Sequence, residues 1–192
     1  MSYVRALFLN NIYIFLIYIF LNEFNYLLLN FINFIFSFQD YKFLSAYMIY
    51  LPHGVRVIGY LVGGINILPG LFLAHLYAAI NFVNFASNDF LFIFGLSIGA
   101  TICVLLAVLL LYRKTQVKFF DLKLKNILLI VILSSLINSY LSYFLRVIFK
   151  FDFGFELETF LSSEILKFLT GDIIGALFLF FLVTGLRKLK II

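Results

Sequence analysis

Four ionisable residues of this sequence lie in apolar segments, where a charged side chain is costly. They are His53, Arg56, His75 and Asp172. An Arg or Asp at the centre of a membrane helix costs about 2.5–3.5 kcal/mol on insertion scales, so such residues usually pair or face an interior. We therefore predict that Arg56 and Asp172 pair across helices, and that both histidines line the same interior. Such a polar cluster could bind a ligand.

The same four residues allow other interpretations. In one alternative, the buried ion pair is a packing clamp that fixes helix register and binds no ligand. Arg56 can also extend its guanidinium to the lipid headgroups, because long basic side chains reach the interface. Two histidines in a helical bundle could ligate a haem iron axially, although lone membrane histidines more often form hydrogen bonds. The sequence therefore leaves the cofactor unknown.

Catalytic motifs are absent from the sequence. It contains no nucleophile and base at a characteristic spacing, no zinc-ligand spacing and no phosphate-binding loop. The single cysteine, Cys103, lies in the apolar run TICVLLAVLLL, which favours a buried free thiol. We predict that the chain is not an enzyme and has no metal site.

The composition indicates which elements must position the polar residues. Hydrophobic residues make up 65% of the 192 residues and charged residues 12%, whereas soluble domains are about 45–50% apolar and about 25% charged. The apolar runs are continuous, unlike the alternating strands of a membrane β-barrel, so helices are required. The sequence predicts an all-α, polytopic integral membrane bundle that forms a single transmembrane domain over residues 1–192.

About six hydrophobic segments have the length of a membrane helix, which needs roughly 20 apolar residues. The first is longer than one crossing, so it must tilt, break or follow the membrane surface. Pro52 and Gly54 in the sequence LPHG predict a break in the second segment, because proline removes a backbone donor and restricts the residue before it. The segments cover residues 6–36, 44–62, 67–85, 89–112, 124–149 and 157–186.

Glycines and prolines also mark a connection and two packing faces. The stretch GYLVGGINILPG predicts a tight link, with Pro69 and Gly70 near the start of the third helix, where proline is favoured. The G-x-x-x-G spacings GLSIG and GDIIG predict close helix packing, the second through Gly171 and Gly175.

Basic residues predict the orientation of the chain in the membrane. The net charge is +5, but the basic residues lie at the ends of hydrophobic segments, so they do not indicate nucleic-acid binding. The link YRKTQVKFFDLKLK and the C-terminus are basic, whereas the link KFDFGFELE is acidic. Both termini are therefore predicted to be cytoplasmic.

The stretch LPHGVRVIGYLVGGINILPGLFLAHL resembles the first class of membrane-associated sensor domains, the MASE type. That family has a W-P-x-x-G motif, a G-x-x-x-x-P-G-x-x-x-G segment and a late W-x-x-G-D-x-x-G-x-L motif. Residues 51–54 and 64–70 resemble the first two, and Gly171, Asp172 and Gly175 match the third. The tryptophans of the family are absent, and the chain ends at Ile192 without the usual kinase or cyclic-dinucleotide enzyme. We therefore expect a stand-alone module.

The resemblance implies a sensory or ligand-binding protein of a bacterial inner membrane. We predict a sensor-like or accessory module that uses its polar cluster to bind a small ligand or a partner membrane protein. It would then act on a signalling protein in trans. Two alternatives stay open, namely a substrate-binding subunit of a membrane transporter and a structural subunit of a larger membrane complex.

Overall fold

The described part of the chain is helical. The computed structural model describes residues 3–36, 49–82, 90–115, 122–149 and 157–188, and no strand occurs among them. The all-α prediction is confirmed. The elements are α1 (Tyr3–Phe36), α2 (Leu51–Gly63), a 3-10 turn (Gly64–Ile67), α3 (Leu68–Phe82), α4 (Phe90–Tyr112), α5 (Leu124–Ile148) and α6 (Leu157–Lys188).

Five helical stretches in the described residues are long and apolar enough to cross a membrane. Such a set is compatible with a multi-pass membrane protein. One of the five stretches contains both α2 and α3, so the predicted count of six spans is only approximate. The stretches are Tyr3–Ile32, Leu51–Asn81, Phe90–Tyr112, Leu124–Leu145 and Leu169–Leu186.

The chain reverses direction between α2 and α3. The hydroxyl of Tyr18 in α1 is 3.4 Å from that of Tyr50, and its ring centroid is 6.3 Å from that of His75. A continuous helix would separate residues 50 and 75 by about 37 Å, at about 1.5 Å per residue. The reversal lies in the 3-10 turn, where Gly64 has a φ of 63°, a conformation that glycine adopts without strain. Pro69 follows in the first turn of α3, as the sequence predicts.

Successive helices run in opposite directions through the bundle. Between α1 and α2, and between α4 and α5, contacts that move forward along one helix move backward along the other. Between α1 and α2 the contacting pairs are Asn25 with Leu51 and Ile14 with Gly59; between α4 and α5 they are Gly95 with Leu145 and Gly99 with Leu141.

One end of the bundle contains the start of α1, the 3-10 turn and the end of α4. The side-chain amide of Asn11 donates to the carbonyl of Asn66 over 2.9 Å and accepts from the N–H of Gly70 over 2.7 Å. At the same end, the hydroxyl of Tyr60 in α2 donates to the carbonyl of Thr115. Because α6 runs in the same direction as α2, its C-terminal end lies here as well.

The first predicted segment, 6–36, does not break. Instead, α1 continues from Tyr3 to Phe36 as one helix. Asn25, which is 5% exposed, accepts the N–H of Leu51 over 3.1 Å. That N–H belongs to the first turn of α2, where backbone donors lack partners within the helix. Asn25 therefore caps a neighbouring helix.

The break predicted within LPHG is wrong, because all four residues are helical. Ile49 and Tyr50 are not helical, and α2 begins at Leu51. Pro52 is in the first turn, where its missing N–H removes no helical hydrogen bond. Gly54 lies inside the helix. Several predicted regions lie outside the described residues. They are the ends of two predicted segments (44–48 and 83–85), parts of two links (116–121 and 150–156), and the last four residues.

The second helix occupies the centre of the bundle. All residues from Leu51 to Val57 are buried, including two that carry ionisable side chains. One apolar cluster packs α2 against α4, α5 and α6, and a second packs it against α1 and α3. Cys103 lies in the first cluster, fully buried and free, as predicted. A polar residue on α2 is therefore surrounded by protein.

Candidate functional site

The second helix brings two of the predicted site residues to one location. His53 and Arg56 are three positions apart, a spacing that puts both side chains on the same face of a helix. They face Asp172 of α6, and the three residues are 0%, 1% and 1% exposed. Neither basic group extends to the lipid headgroups, so the alternative in which Arg56 reaches the interface is wrong.

Asp172 lies between the two basic side chains. Its Oδ2 is 3.3 Å from His53 Nδ1, and its Oδ1 is 3.9 Å from Arg56 Nη2. These are ion-pair distances, but neither contact has hydrogen-bond geometry, and His53 Nδ1 has no hydrogen-bond partner. The structure thus brings Arg56 and Asp172 together, with His53 nearer the carboxylate than the arginine is.

Asn138 of α5 bridges the ion pair. Its Nδ2 donates to Asp172 Oδ2 over 3.0 Å, and its Oδ1 accepts from Arg56 Nη1 over 3.2 Å. Arg56 Nη1 also donates to the carbonyl of Ala100 in α4 over 3.1 Å. Four helices therefore meet at this guanidinium.

Part of Arg56 is buried without a hydrogen-bond partner. Nη1 makes two hydrogen bonds, whereas Nε and Nη2 make none. A buried donor left unsatisfied costs about 1–3 kcal/mol, and more when the group is charged. Tyr50, which is only partly buried, places its ring 5.7 Å from the guanidinium carbon and gives a cation–π contact.

Two serines of α5 hold the other side of the His53 ring. Ser134 Oγ and Ser135 Oγ are each 3.1 Å from His53 Nε2. Ser134 donates its own proton to the carbonyl of Val131 over 3.0 Å. The tautomer with its proton on Nδ1 lets Ser135 donate to Nε2, whereas the tautomer with its proton on Nε2 donates to the Ser134 hydroxyl. Axial ligation of a haem by His53 would break one of these contacts.

His75 lies apart from the ion pair. It is partly buried on α3, and its Nδ1 is 3.2 Å from Ser97 Oγ in α4. Its ring faces Tyr18, whose hydroxyl is near that of Tyr50, and the Tyr50 ring in turn covers Arg56. His75 therefore shares the interior with the other predicted residues through two tyrosines, without direct contact.

Together these side chains form one polar layer across the bundle. All six described helices contribute to it, near the middle of most of them. We call this set the polar layer: Tyr18, Tyr50, His53, Arg56, His75, Ser97, Ser134, Ser135, Asn138 and Asp172.

Close packing of α2 on α6 sets the position of Asp172. The N–H of Tyr50 donates to the carbonyl of Gly171 over 2.9 Å. A Cβ on Gly175 would overlap the Tyr50 carbonyl, and a Cβ on Gly54 would be 2.9 Å from the Cα of Ala176. These glycines let the two backbones approach each other, as the G-x-x-x-G spacing predicts.

Six residues of the polar layer were not predicted from the sequence: Tyr18, Tyr50, Ser97, Ser134, Ser135 and Asn138. The last three lie on α5. Their recurrence at helical spacing in SSLINSYLS is the signal that could have indicated them, because it puts several polar groups on one side of an apolar helix.

Comparison of the chain with protein-family models, curated proteins and solved structures gives no match. The resemblance to membrane-associated sensor domains therefore stays a prediction. In the described residues, no group of three His, Cys, Asp or Glu side chains is placed to hold a metal ion. The class that the fold and the site define is a helical membrane protein with a buried polar layer.

Proposed function

We propose that this protein is a sensor-like membrane module that binds a small ligand at the polar layer and signals to a partner protein. The observation that supports this proposal is the state of Arg56. The side chain is 1% exposed, yet Nε and Nη2 have no hydrogen-bond partner. A ligand that supplies acceptor atoms would satisfy these donors.

The same observation favours ligand binding over a packing clamp. Most buried polar groups in proteins are hydrogen-bonded, and a buried ion pair is stabilising only when its remaining donors are satisfied. Here Asp172 and Arg56 are 3.9 Å apart without a hydrogen bond between them. A clamp selected for stability alone would be expected to close this gap.

The arrangement also provides a means of signalling. Arg56 belongs to α2 and Asp172 to α6, and the two helices cross at the glycines Gly54 and Gly175. A ligand that binds Arg56 would draw its guanidinium away from Asp172 and weaken one contact across this crossing. If the ligand binds one packing of α2 on α6 more tightly than another, it shifts the equilibrium between these two arrangements. The end of α6 would transmit the shift to a signalling partner at the bacterial inner membrane.

The proposal is tested by mass spectrometry of the tagged protein purified in mild detergent from its native host. We expect a small molecule to stay bound to the wild-type chain and to be lost from the Arg56→Gln variant. Ile174→Val is the matched control, because Ile174 is 41% exposed on the outer face of the same helix as Asp172. Equal small-molecule content in the wild-type chain and Arg56→Gln, or none in either, would contradict the proposal.

A transporter subunit is the second candidate. The polar layer lies midway along α1, α5 and α6, and the substrate sites of secondary transporters are near the bilayer midplane. Uptake of the molecule found in the purified protein, labelled and offered to sealed vesicles, distinguishes the candidates. Accumulation inside vesicles that contain the protein supports transport, whereas binding without accumulation supports the sensor-like module.

A further inference from the structure

We infer that the ligand of the polar layer carries a carboxylate, which binds side-on to Nε and Nη2 of Arg56 and enters together with one proton. This inference rests on the proposed ligand-binding function and adds the chemical class of the ligand.

The inference begins with which edge of the guanidinium is unpartnered. Nη1 donates to Ala100 and Asn138, at 3.1 and 3.2 Å. Nε and Nη2, which have no partner, lie together on the other edge of the same planar group. Their two N–H bonds point in parallel, and this spacing matches the two oxygens of a carboxylate. A single carbonyl or hydroxyl oxygen would satisfy only half of the edge.

Asp172 does not occupy this edge. Its Oδ1 is 3.9 Å from Nη2, and its Oδ2 accepts from Asn138 and lies near His53. The carboxylate of Asp172 is therefore held mainly by α5 and by His53. The side-on edge of Arg56 is left for another acceptor, and the partly buried ring of Tyr50 lies 5.7 Å from the guanidinium carbon.

Charge balance requires a proton to accompany the ligand. The ionisable groups near Arg56 come from four helices and the residue before α2. With a neutral His53, Arg56 and Asp172 cancel, so a ligand carboxylate adds one uncompensated negative charge in a buried site. Such a charge is costly unless it is neutralised. The ionisable groups near Arg56 are Tyr18, Tyr50, His53, Cys103 and Asp172, and His75 lies behind Tyr18.

His53 and Asp172 are the groups that can take up this proton. His53 Nδ1 and Asp172 Oδ2 are 3.3 Å apart, and Nδ1 has no hydrogen-bond partner. A proton bound to either group leaves the occupied site neutral. Serine hydroxyls on the other side of the ring keep His53 in place. Binding should therefore consume one proton for each carboxylate.

Titration calorimetry on the full chain in phosphatidylcholine nanodiscs tests the inference. The probes are butanoate and decanoate, and the controls are butanamide and decanamide, which lack the charge and the second acceptor oxygen. We expect a carboxylate to bind at least tenfold more tightly than its amide. Butanoate binding indicates a water-soluble carboxylate as the source, and binding of decanoate alone indicates a fatty acid from the membrane.

Two further measurements connect binding to the named atoms. Titrations in two buffers with different ionisation enthalpies should give uptake of one proton per carboxylate by the wild-type chain. Arg56→Lys keeps the charge but removes the planar fork, so it should lose at least tenfold in affinity. If this variant does not fold, the comparison of carboxylate with amide and the buffer experiment still decide, because both use the wild-type chain.

Failure of this inference can be distinguished from failure of the proposed function. Equal binding of carboxylate and amide, binding without proton uptake, or no binding of either probe pair overturns the carboxylate assignment. If purified wild-type protein then carries a molecule without a carboxylate that Arg56→Gln loses, ligand binding at the polar layer stands. If no molecule depends on Arg56, both proposals are wrong.

Discussion

At the scale of single residues, the buried charges of Arg56 and Asp172 depend on each other. Each is 1% exposed, so removal of either leaves a buried charge without its counter-charge. Such a loss typically costs about 3–5 kcal/mol, whereas replacement of both partners by neutral groups is often tolerated. The two residues should therefore be strongly coupled in the stability of the fold.

We expect Arg56→Gln and Asp172→Asn each to lower the stability of the protein by about 3–5 kcal/mol. The double variant should be more stable than either single variant, because it leaves no uncompensated charge. Thermal unfolding of the four proteins in detergent measures the coupling, with Ile174→Val as the control. A double variant less stable than both single variants would show that the two charges do not compensate each other.

The sequence indicates the charged members of the polar layer but not its neutral members. A charge in an apolar helix is costly enough to mark Arg56 and Asp172 from their positions alone. A serine or asparagine in a membrane helix has a much smaller cost, since its hydroxyl or amide finds partners within the bundle. The spacing in SSLINSYLS indicates that Asn138 lies on a polar side of α5, but only the structure places it between the two charges.

At the scale of elements, the crossing of α2 and α6 depends on the absence of side chains. A Cβ on Gly175 would overlap the backbone of Tyr50, whereas a Cβ on Gly185 would meet nothing within 4 Å. The two glycines belong to the same helix and differ only in what they face. They form a matched pair for testing how closely the helices pack.

We expect Gly175→Ala to destabilise the protein by about 1–3 kcal/mol, the usual cost of overpacking. Gly185→Ala should be neutral or slightly stabilising, because alanine is favoured over glycine inside a helix by about 1 kcal/mol. Thermal unfolding in detergent compares both variants with the wild type. Equal melting temperatures for the two variants would mean that α2 and α6 do not cross at Gly175.

A second element contact joins α1 to the start of α3. Asn11 accepts the N–H of Gly70, a donor of the first helical turn that has no partner within its own helix. We expect Asn11→Ala to cost about 1–3 kcal/mol, because this donor becomes unsatisfied. Asn10→Ala is the matched control, since Asn10 is exposed. Equal losses of thermal stability in the two variants would argue against the contact.

Long apolar runs made the helices predictable, whereas contacts between distant residues did not. The predicted segments 89–112 and 157–186 match α4 and α6 closely, and in the first of them the apolar residues are continuous. The LPHG motif indicates an irregularity but not its position. Pro52 favours a helix start at this position, and Asn25, far away in the sequence, caps the first turn at Leu51. The contact with Asn25 has no local signal in LPHG.

At the scale of the whole molecule, the bundle puts the basic parts of the chain at one end. Lys114 and the 3-10 turn lie at the end where α1 begins and α6 terminates, and Phe149 lies at the opposite end of α5. Positive residues favour the cytoplasmic side of a membrane. The alternating helices therefore agree with the cytoplasmic termini predicted from charge, and this orientation stays a prediction.

Cysteine labelling in cells tests the orientation and the reversal at the 3-10 turn together. The background is Cys103→Ala, and the added cysteines are Lys114→Cys, Asn66→Cys and Phe149→Cys, all at exposed positions. We expect a membrane-impermeant maleimide to label Phe149→Cys on intact cells, and the other two only after permeabilisation.

The opposite pattern would reverse the orientation while leaving the fold unchanged. If 51–81 were instead one continuous span, residue 66 would be within the bilayer and would stay unlabelled even in permeabilised cells. Labelling of Asn66→Cys together with Lys114→Cys therefore requires the chain to reverse direction between α2 and α3. His53 and Arg56 then lie on one of two antiparallel helices and His75 on the other.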